Sequence, residues 1–252
     1  MKSYKNFAFV YDVLMKDVNY KSRTNYLLKL FKKFGKTPTL LLDIACGTGG
    51  FSNLFSKKGI DVIGVDMSEE MLSVARENSA QMGTQVLYLC QKAEELDLYG
   101  TVDGAICCLD SLNHITDKRK LSSALKRISL FLEPDCLFIF DINTPFKHEN
   151  ILGDNTFVLE ENGIYCVWQN HYLPKKRLTQ IILDFFTEDN EIYKRSREEF
   201  SERAYTAEEI EKLLSLSGFK IEAVFDDMTE NPLNENSQRA IYVCKKFNPL
   251  NL

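Results

Sequence analysis

The stretch LLLDIACGTGG, residues 40–50, decides how the rest of the chain reads. It carries an apolar run into an acid, Asp43, and then into a turn that holds Gly47 and Gly49. An apolar run of this length, bounded by a glycine turn, marks a strand buried on both faces (TLLLDIA, 39–45). Glycines after it permit positive φ and let a ligand approach the backbone closely. Beyond Gly49 the chain turns helical through Phe51, Leu54 and Phe55 and stops at Gly59, before a second strand, IDVIGVD (60–66). That strand ends on Asp66, 19 residues past Gly47, where an acid can accept hydrogen bonds from ribose hydroxyls. Strand, glycine turn, helix, strand and terminal acid in this register predict a cradle for a nucleoside-containing ligand.

The same alternation continues outward. A helix over 17–34 precedes the cradle, with Tyr20, Leu27, Leu28, Phe31 and Phe34 at helical spacing and Gly35 as its stop. Ser68 caps a helix whose first turn holds Glu69 and Glu70, acids placed for the positive helix end. QVLYLC (85–90) and VDGAICCLD (102–110) are the third and fourth strands. Asp117 opens a helix with Leu121, Ala124, Leu125, Ile128 and Leu132 on one side; Glu133-Pro134 ends it, and CLFIFDI (136–142) is the fifth strand. Strands joined by helical crossovers predict an α/β, doubly wound parallel sheet. After about residue 150 the pattern changes to β-rich runs, with a strong hairpin signal at Asn162-Gly163 and a weaker one at Asp189-Asn190. This block, 151–203, reads as an inserted antiparallel sheet between two pieces of core, 1–150 and 204–252. The core resumes with a capping box at Thr206 and Glu209, a helix stopped by Gly218, and two closing strands, 219–225 and 239–246.

Composition narrows the classes. The 252 residues are 44% hydrophobic and 27% charged, ordinary for a globular chain with a sizeable core. A net charge of -5 argues against a protein that grips nucleic acid mainly by its phosphates. No run approaches the ~18 apolar residues of a membrane span, and the N-terminus shows no secretory signal. Seven cysteines without a C-x-x-C pair read as free thiols in a reducing cytoplasm. The three histidines show no metal-ligand spacing, so no metal centre is expected.

Two residues refine the ligand. Ser52 stands where a G-x-G-x-x-G fingerprint wants Gly or Ala, and Asp43 would repel a pyrophosphate. A carboxylate there suits a cationic group such as an α-ammonium, and S-adenosylmethionine unites ribose with an amino-acid tail. L-D-I-A-C-G-T-G (42–49) resembles the first motif of class I S-adenosylmethionine-dependent methyltransferases, and G-V-D-M-S (64–68) is similar to their second. The likeness continues through Q-K-A-E-E-L (91–96), C-L-D-S-L-N-H-I (108–115), F-D-I-N-T-P (140–145) and E-R-A-Y-T-A-E-E-I (202–210). Residues 4–15 resemble the lid of the small-molecule branch, with its sugar-amine and glycine-type N-methyltransferases.

The resemblance implies a seven-stranded Rossmann-like sheet, parallel with one antiparallel strand, and S-adenosylmethionine as cofactor. It implies Ala45, Gly47 and Gly49 along the methionyl part, with Asp43 near its ammonium. Asp66 takes the ribose hydroxyls, Met67 packs on the adenine, Ala93 or Glu94 lies at the adenine edge, and Leu109 covers the cofactor from the other side. Tyr11 of the lid is implied near the sulfonium, and Arg23 is a candidate partner for the cofactor carboxylate. His114, just past the fourth strand, is the candidate base or substrate contact. Asp110, Asn113 and Asn143 at strand ends, Tyr165, Trp168 and Tyr172 of the insert, and Arg203, Tyr205 and Arg239 are further candidates for the pocket. The expected acceptor is a small polar molecule, methylated at nitrogen or oxygen, by a monomer or homodimer. DNA amino-methylating enzymes carry N/D-P-P-Y/F after the fourth strand, where this chain has L-D-S-L, and no Pro-Cys motif is present. A non-catalytic cofactor-binding protein and a dinucleotide oxidoreductase are the competing readings.

Overall fold

The computed structural model describes residues 15, 18–189 and 192–247. Tyr11 and most of the expected lid lie outside them. Helix α1 (Tyr20–Phe34) begins at Asn19, whose side chain accepts a hydrogen bond from the Ser22 N–H, and it buries Leu27, Leu30 and Phe31. There follow β1 (Leu40–Ile44), α2 (Gly50–Ser56), β2 (Asp61–Asp66), α3 (Glu69–Met82), β3 (Val86–Cys90) and β4 (Val102–Cys107). After α4 (Lys118–Phe131) and β5 (Leu132–Asn143) come four strands, β6 (Thr156–Glu161), β7 (Ile164–Leu173), β8 (Leu178–Asp189) and β9 (Ile192–Arg203). Helix α5 (Ala207–Leu216), β10 (Phe219–Asp226) and β11 (Arg239–Lys246) close the chain.

One sheet has the order β10-β11-β5-β4-β1-β2-β3, and β11 runs antiparallel to both its neighbours. The other, β6-β7-β8-β9, is an antiparallel meander. The large sheet is buried on both faces, which explains why its strands are continuously apolar rather than alternating. Along β5, Phe138, Phe140 and Ile142 join one core with α4 and α5, whereas Leu137 and Ile139 join the other with α1 and α2. Helix α4 buries the expected stripe of Leu121, Ala124, Leu125 and Ile128. The capping box is present, with Thr206 accepting from the Glu209 N–H and the Glu209 carboxylate accepting from the Thr206 N–H.

One boundary differs from expectation. Glu133-Pro134 does not separate helix from strand: α4 passes directly into β5. Val102 pairs with Leu132 and Gly104 with Leu137, so residues 133–136 form a bulge with Asp135 at φ 62°. Pairing with β11 starts only at Leu137, so Pro134 meets no demand for a ladder N–H. The Asn162-Gly163 hairpin is a two-residue turn, both residues at positive φ, joining Glu161 to Ile164. On one face of the small sheet, alternate residues Ile164 and Cys166 of β7 meet Ile181, Leu183 and Phe185 of β8. Strand β9 then returns to the core, where Tyr205 is fully buried and donates its hydroxyl to the Ile115 carbonyl.

Candidate active site

The glycine turn brings two carboxylates together without any basic partner among the described residues. Asp66, at the end of β2, accepts from the Gly47 N–H (2.9 Å) and the Ser68 N–H (2.9 Å), one on each oxygen. Each oxygen keeps a lone pair for a hydroxyl donor. Asp43, at β1, is buried, and Ser52 donates its hydroxyl to it at 2.5 Å. Burial, with the Asp66 charge adding to it, pushes the Asp43 carboxyl up to about 7. Gly49 adopts φ +79°, and a Cβ there would stand 2.3 Å from the Tyr88 hydroxyl, so only glycine lets the turn lie this flat. Ala45 and Gly47 also hold positive φ. Two acids short of positive charge fit a ligand that brings a cation and a diol, and they oppose a pyrophosphate. Tyr20 and Phe51 wall the cleft beside Asp43 and Ala45, edge to face at 5.0 Å.

The opposite wall is built on strain. Leu109 and Asp110 are consecutive residues in the left-handed region, at φ 57° and 53°, a conformation that costs of order 1–2 kcal/mol per non-glycine residue. Asp141 on β5 holds them, its carboxylate accepting from the Leu109 N–H (2.8 Å) and the Asp110 N–H (2.7 Å). Arg239 on β11 binds Asp141 and, at 2.6 Å, Asp110. Burial pushes the Asp110 carboxyl up, but Arg239, with Lys147 and His114 adding to it, outweighs burial and holds the group below the usual carboxylate range.

Past this step a buried polar group joins core to insert. His114 is about one-third exposed, stacks on Phe200 of β9 (4.9 Å between ring centroids) and sets Nε2 3.6 Å from Glu202 Oε1. Glu202 is buried, and burial together with the Asp110 charge pushes its carboxyl up. Asn143 donates to Glu202 Oε2 (3.2 Å) and accepts from Lys147 Nζ (2.9 Å), so one amide links the two charges. Burial and the nearby Arg239 lower the Lys147 ammonium. His148 is fully buried between Thr179 (2.8 Å) and Asn113 (3.4 Å), and burial lowers it to about 4, keeping the ring neutral.

Of the residues singled out from sequence, Asp43, Ala45, Gly47 and Leu109 line one cleft. Met67 follows Asp66 and is 45% exposed. Ala93 packs partly on the core, and the neighbouring Glu94 carboxylate faces Lys120 at 3.2 Å. Arg23 is engaged by Asp227 through two hydrogen bonds of 2.9 and 2.7 Å. Asn113 ties the Asn143 and Arg203 carbonyls together and serves the scaffold. Trp168 donates to Asn170 and Tyr172 to Glu149, while Tyr165 is exposed beside Phe186. Sequence reasoning missed Glu202, Lys147 and Asp141, and took Ser52 only as a broken fingerprint.

Comparison with known proteins gives a consistent picture. A family model described as a methyltransferase domain matches residues 41–135. A putative methyltransferase of Bacillus subtilis, YqeM, is 31% identical over 96% of this chain and 97% of its own length. Among solved structures, an S-adenosylmethionine-dependent methyltransferase from Clostridium acetobutylicum superposes with a TM-score of 0.88 at 32% identity, covering 97% of this chain and 99% of that one. CalS10, an amino pentose methyltransferase from Micromonospora echinaspora, shares the fold at a TM-score of 0.75 and 17% identity over 96% of each chain. With that kinship added to the carboxylate pair at the glycine turn, the chain belongs to the S-adenosylmethionine-dependent methyltransferases and uses that cofactor.

Proposed function

We propose that the enzyme methylates a small polar molecule at nitrogen or oxygen, and that the acceptor sits between the cofactor cleft and the root of the inserted sheet. One observation carries this reading: His114, on the segment that follows Leu109, stacks on Phe200 and faces Glu202, so the insert closes on the same segment that walls the cofactor cleft. In this reading residues 151–203 form an acceptor-side subdomain, and 1–150 with 204–252 form the cofactor core.

The cofactor supplies an already activated methyl group, so the protein's work is alignment and exclusion of water. Asp43 receives the ammonium, Ala45, Gly47 and Gly49 leave room for the methionyl chain, and Asp66 takes the ribose hydroxyls. Met67 lies on the adenine, Ala93 and Glu94 flank its edge, and Leu109 covers the opposite face. His114 orients the acceptor and can take its proton, and Tyr11 contributes from the N-terminal segment. The seven cysteines are free thiols, which supports a cytoplasmic setting. No helix among the described residues is long and apolar enough to cross a membrane.

The test is a metabolite extract incubated with enzyme and labelled methyl donor, the product being identified by mass spectrometry. A labelled small amine or alcohol that disappears with His114→Ala is expected. Label found only in protein or nucleic acid would sink the reading.

A further inference from the structure

Asp110 and His114 open and close the turn after β4, and Glu202 comes from the end of β9, far along the chain. One ligand atom from each nevertheless lies within 4.8 Å of the others. Their outer atoms are already held. Arg239 donates to Asp110 Oδ1 (2.6 Å), Asn143 donates to Glu202 Oε2 (3.2 Å), and Phe200 fixes the imidazole plane. That leaves Asp110 Oδ2 and Glu202 Oε1 with no hydrogen-bond donor among the described residues, although Glu202 is more than nine-tenths buried. Oε1 is turned toward His114 Nε2 at 3.6 Å. Ligand atoms bonded at ~2.1 Å to one cation stand roughly 3 to 4 Å apart; the His114–Glu202 separation lies in that range, and the group as a whole spans no more than 4.8 Å.

Charge points the same way. Three carboxylates, Asp141 and Glu202 buried and Asp110 partly so, face two cations, Arg239 and Lys147. A buried excess of negative charge is costly unless a positive group completes it. Neither cation fills the gap: Arg239 is shared with Asp141, and Lys147 Nζ donates to Asn143. One imidazole and two carboxylates suit a divalent first-row ion, and outer hydrogen bonds of this kind orient metal ligands.

We propose that Asp110, His114 and Glu202 bind a divalent metal cation on the acceptor side of the cleft, whose open positions hold the acceptor by an oxygen. This rests on the acceptor site described above and extends it. One short segment, residues 110–114, and the distant end of β9 thus form one site.

Full-length protein, treated with chelator and dialysed, is titrated with MnCl2 and separately with ZnCl2 by calorimetry, with paramagnetic resonance following free Mn2+. At least one of the two ions is expected to bind at one per chain. Binding weakens at least tenfold in His114→Ala and in Glu202→Gln, while both variants keep S-adenosylmethionine affinity within about threefold. His171→Ala, which removes the exposed His171–Asp154 pair, leaves metal binding as in wild type. Failure of both ions to bind, or equal binding in wild type and the two site variants, overturns the proposal. Undiminished methyl transfer into an extract by chelator-treated enzyme overturns the metal while the acceptor site stands. Undiminished transfer by the His114→Ala, Glu202→Gln double variant overturns the acceptor site itself.

Discussion

Two pairs of carboxylates stand near the carboxyl ends of the parallel strands, the second completed by Glu202 of the insert, and they are held in opposite ways. Asp43 and Asp66 are held by neutral groups close in sequence: Ser52, nine residues on, and the Gly47 and Ser68 amides, 19 and two residues away. Asp110 and Glu202 are held by side chains far along the chain, Arg239 at 129 residues and Asn143 at 59. The first pair forms from one strand–turn–helix unit and its neighbour, while the second exists only once β5, β9 and β11 have come together. Local restraint by neutral groups leaves acids that call for a cationic ligand, whereas distant restraint, charged at Asp110 and neutral at Glu202, also ties fold and site into one network.

The contrast can be broken at several points. The largest effect is expected at Arg239→Met, which strands Asp110 and Asp141 in the interior; urea unfolding should show a loss of roughly 3–5 kcal/mol. A loss under 1 kcal/mol would mean that the distant network is ornamental to the fold. Asp66→Ala should leave the fold largely intact and weaken S-adenosylmethionine by about 100-fold, the worth of two charge-assisted hydrogen bonds. Calorimetry settles it, and an unchanged affinity would remove Asp66 from the site. Gly49→Ala should cost about 2 kcal/mol through left-handed strain and the Tyr88 contact. Adding Tyr88→Phe should recover part of that, because the hydroxyl is the nearest atom.

The acids of the cofactor cleft also leave a pH signature. Asp43 has a folded-state pKa raised to about 7 from 3.8, so folding takes up a proton between those values. Stability therefore declines as pH rises through that window and levels off above it. Asp43→Asn removes the slope. The variant should gain on wild type between pH 4 and pH 7, by something on the order of 1–2 kcal/mol, while losing cofactor affinity. A pH-independent difference would show that Asp43 is ionised throughout. The smallest effect is on the insert side. His148 is lowered to about 4 from 6.5, so the folded state resists a proton that the unfolded state accepts. Stability should fall as pH drops from about 6.5 to 4, by about 1 kcal/mol or more, and His148→Gln should flatten that limb.

The same distinction explains what the sequence made legible. The seven-stranded sheet with one antiparallel strand and the inserted antiparallel sheet follow from apolar periodicity, turn residues and the family motifs, and both are found. The glycine turn and its two acids were readable because their partners lie within about 20 residues. Ser52 reads only as a departure from the dinucleotide fingerprint, which gives no hint that its hydroxyl supports Asp43. Glu202 sits in SREEFSERAY, among residues that look like a solvated strand, and nothing local marks it as buried. Asp141 reads only as strand, and Lys147 draws no notice, for the same reason. Their roles are set by pairings across the sheet, for which a single chain read in order carries no signal.

The left-handed step at Leu109–Asp110 has one more consequence. Leu109 faces the cofactor cleft, Asp110 sits with His114 and Glu202, and a single Asp141 carboxylate grips both amides. A ligand pressing on either residue must act through the same pair of peptide units. Thermodynamic reciprocity then requires that whatever factor cofactor binding applies to acceptor affinity, acceptor binding returns to the cofactor. The step is thus a joint between the two groups, through which cofactor and the proposed acceptor would raise or lower each other's affinity by one shared factor.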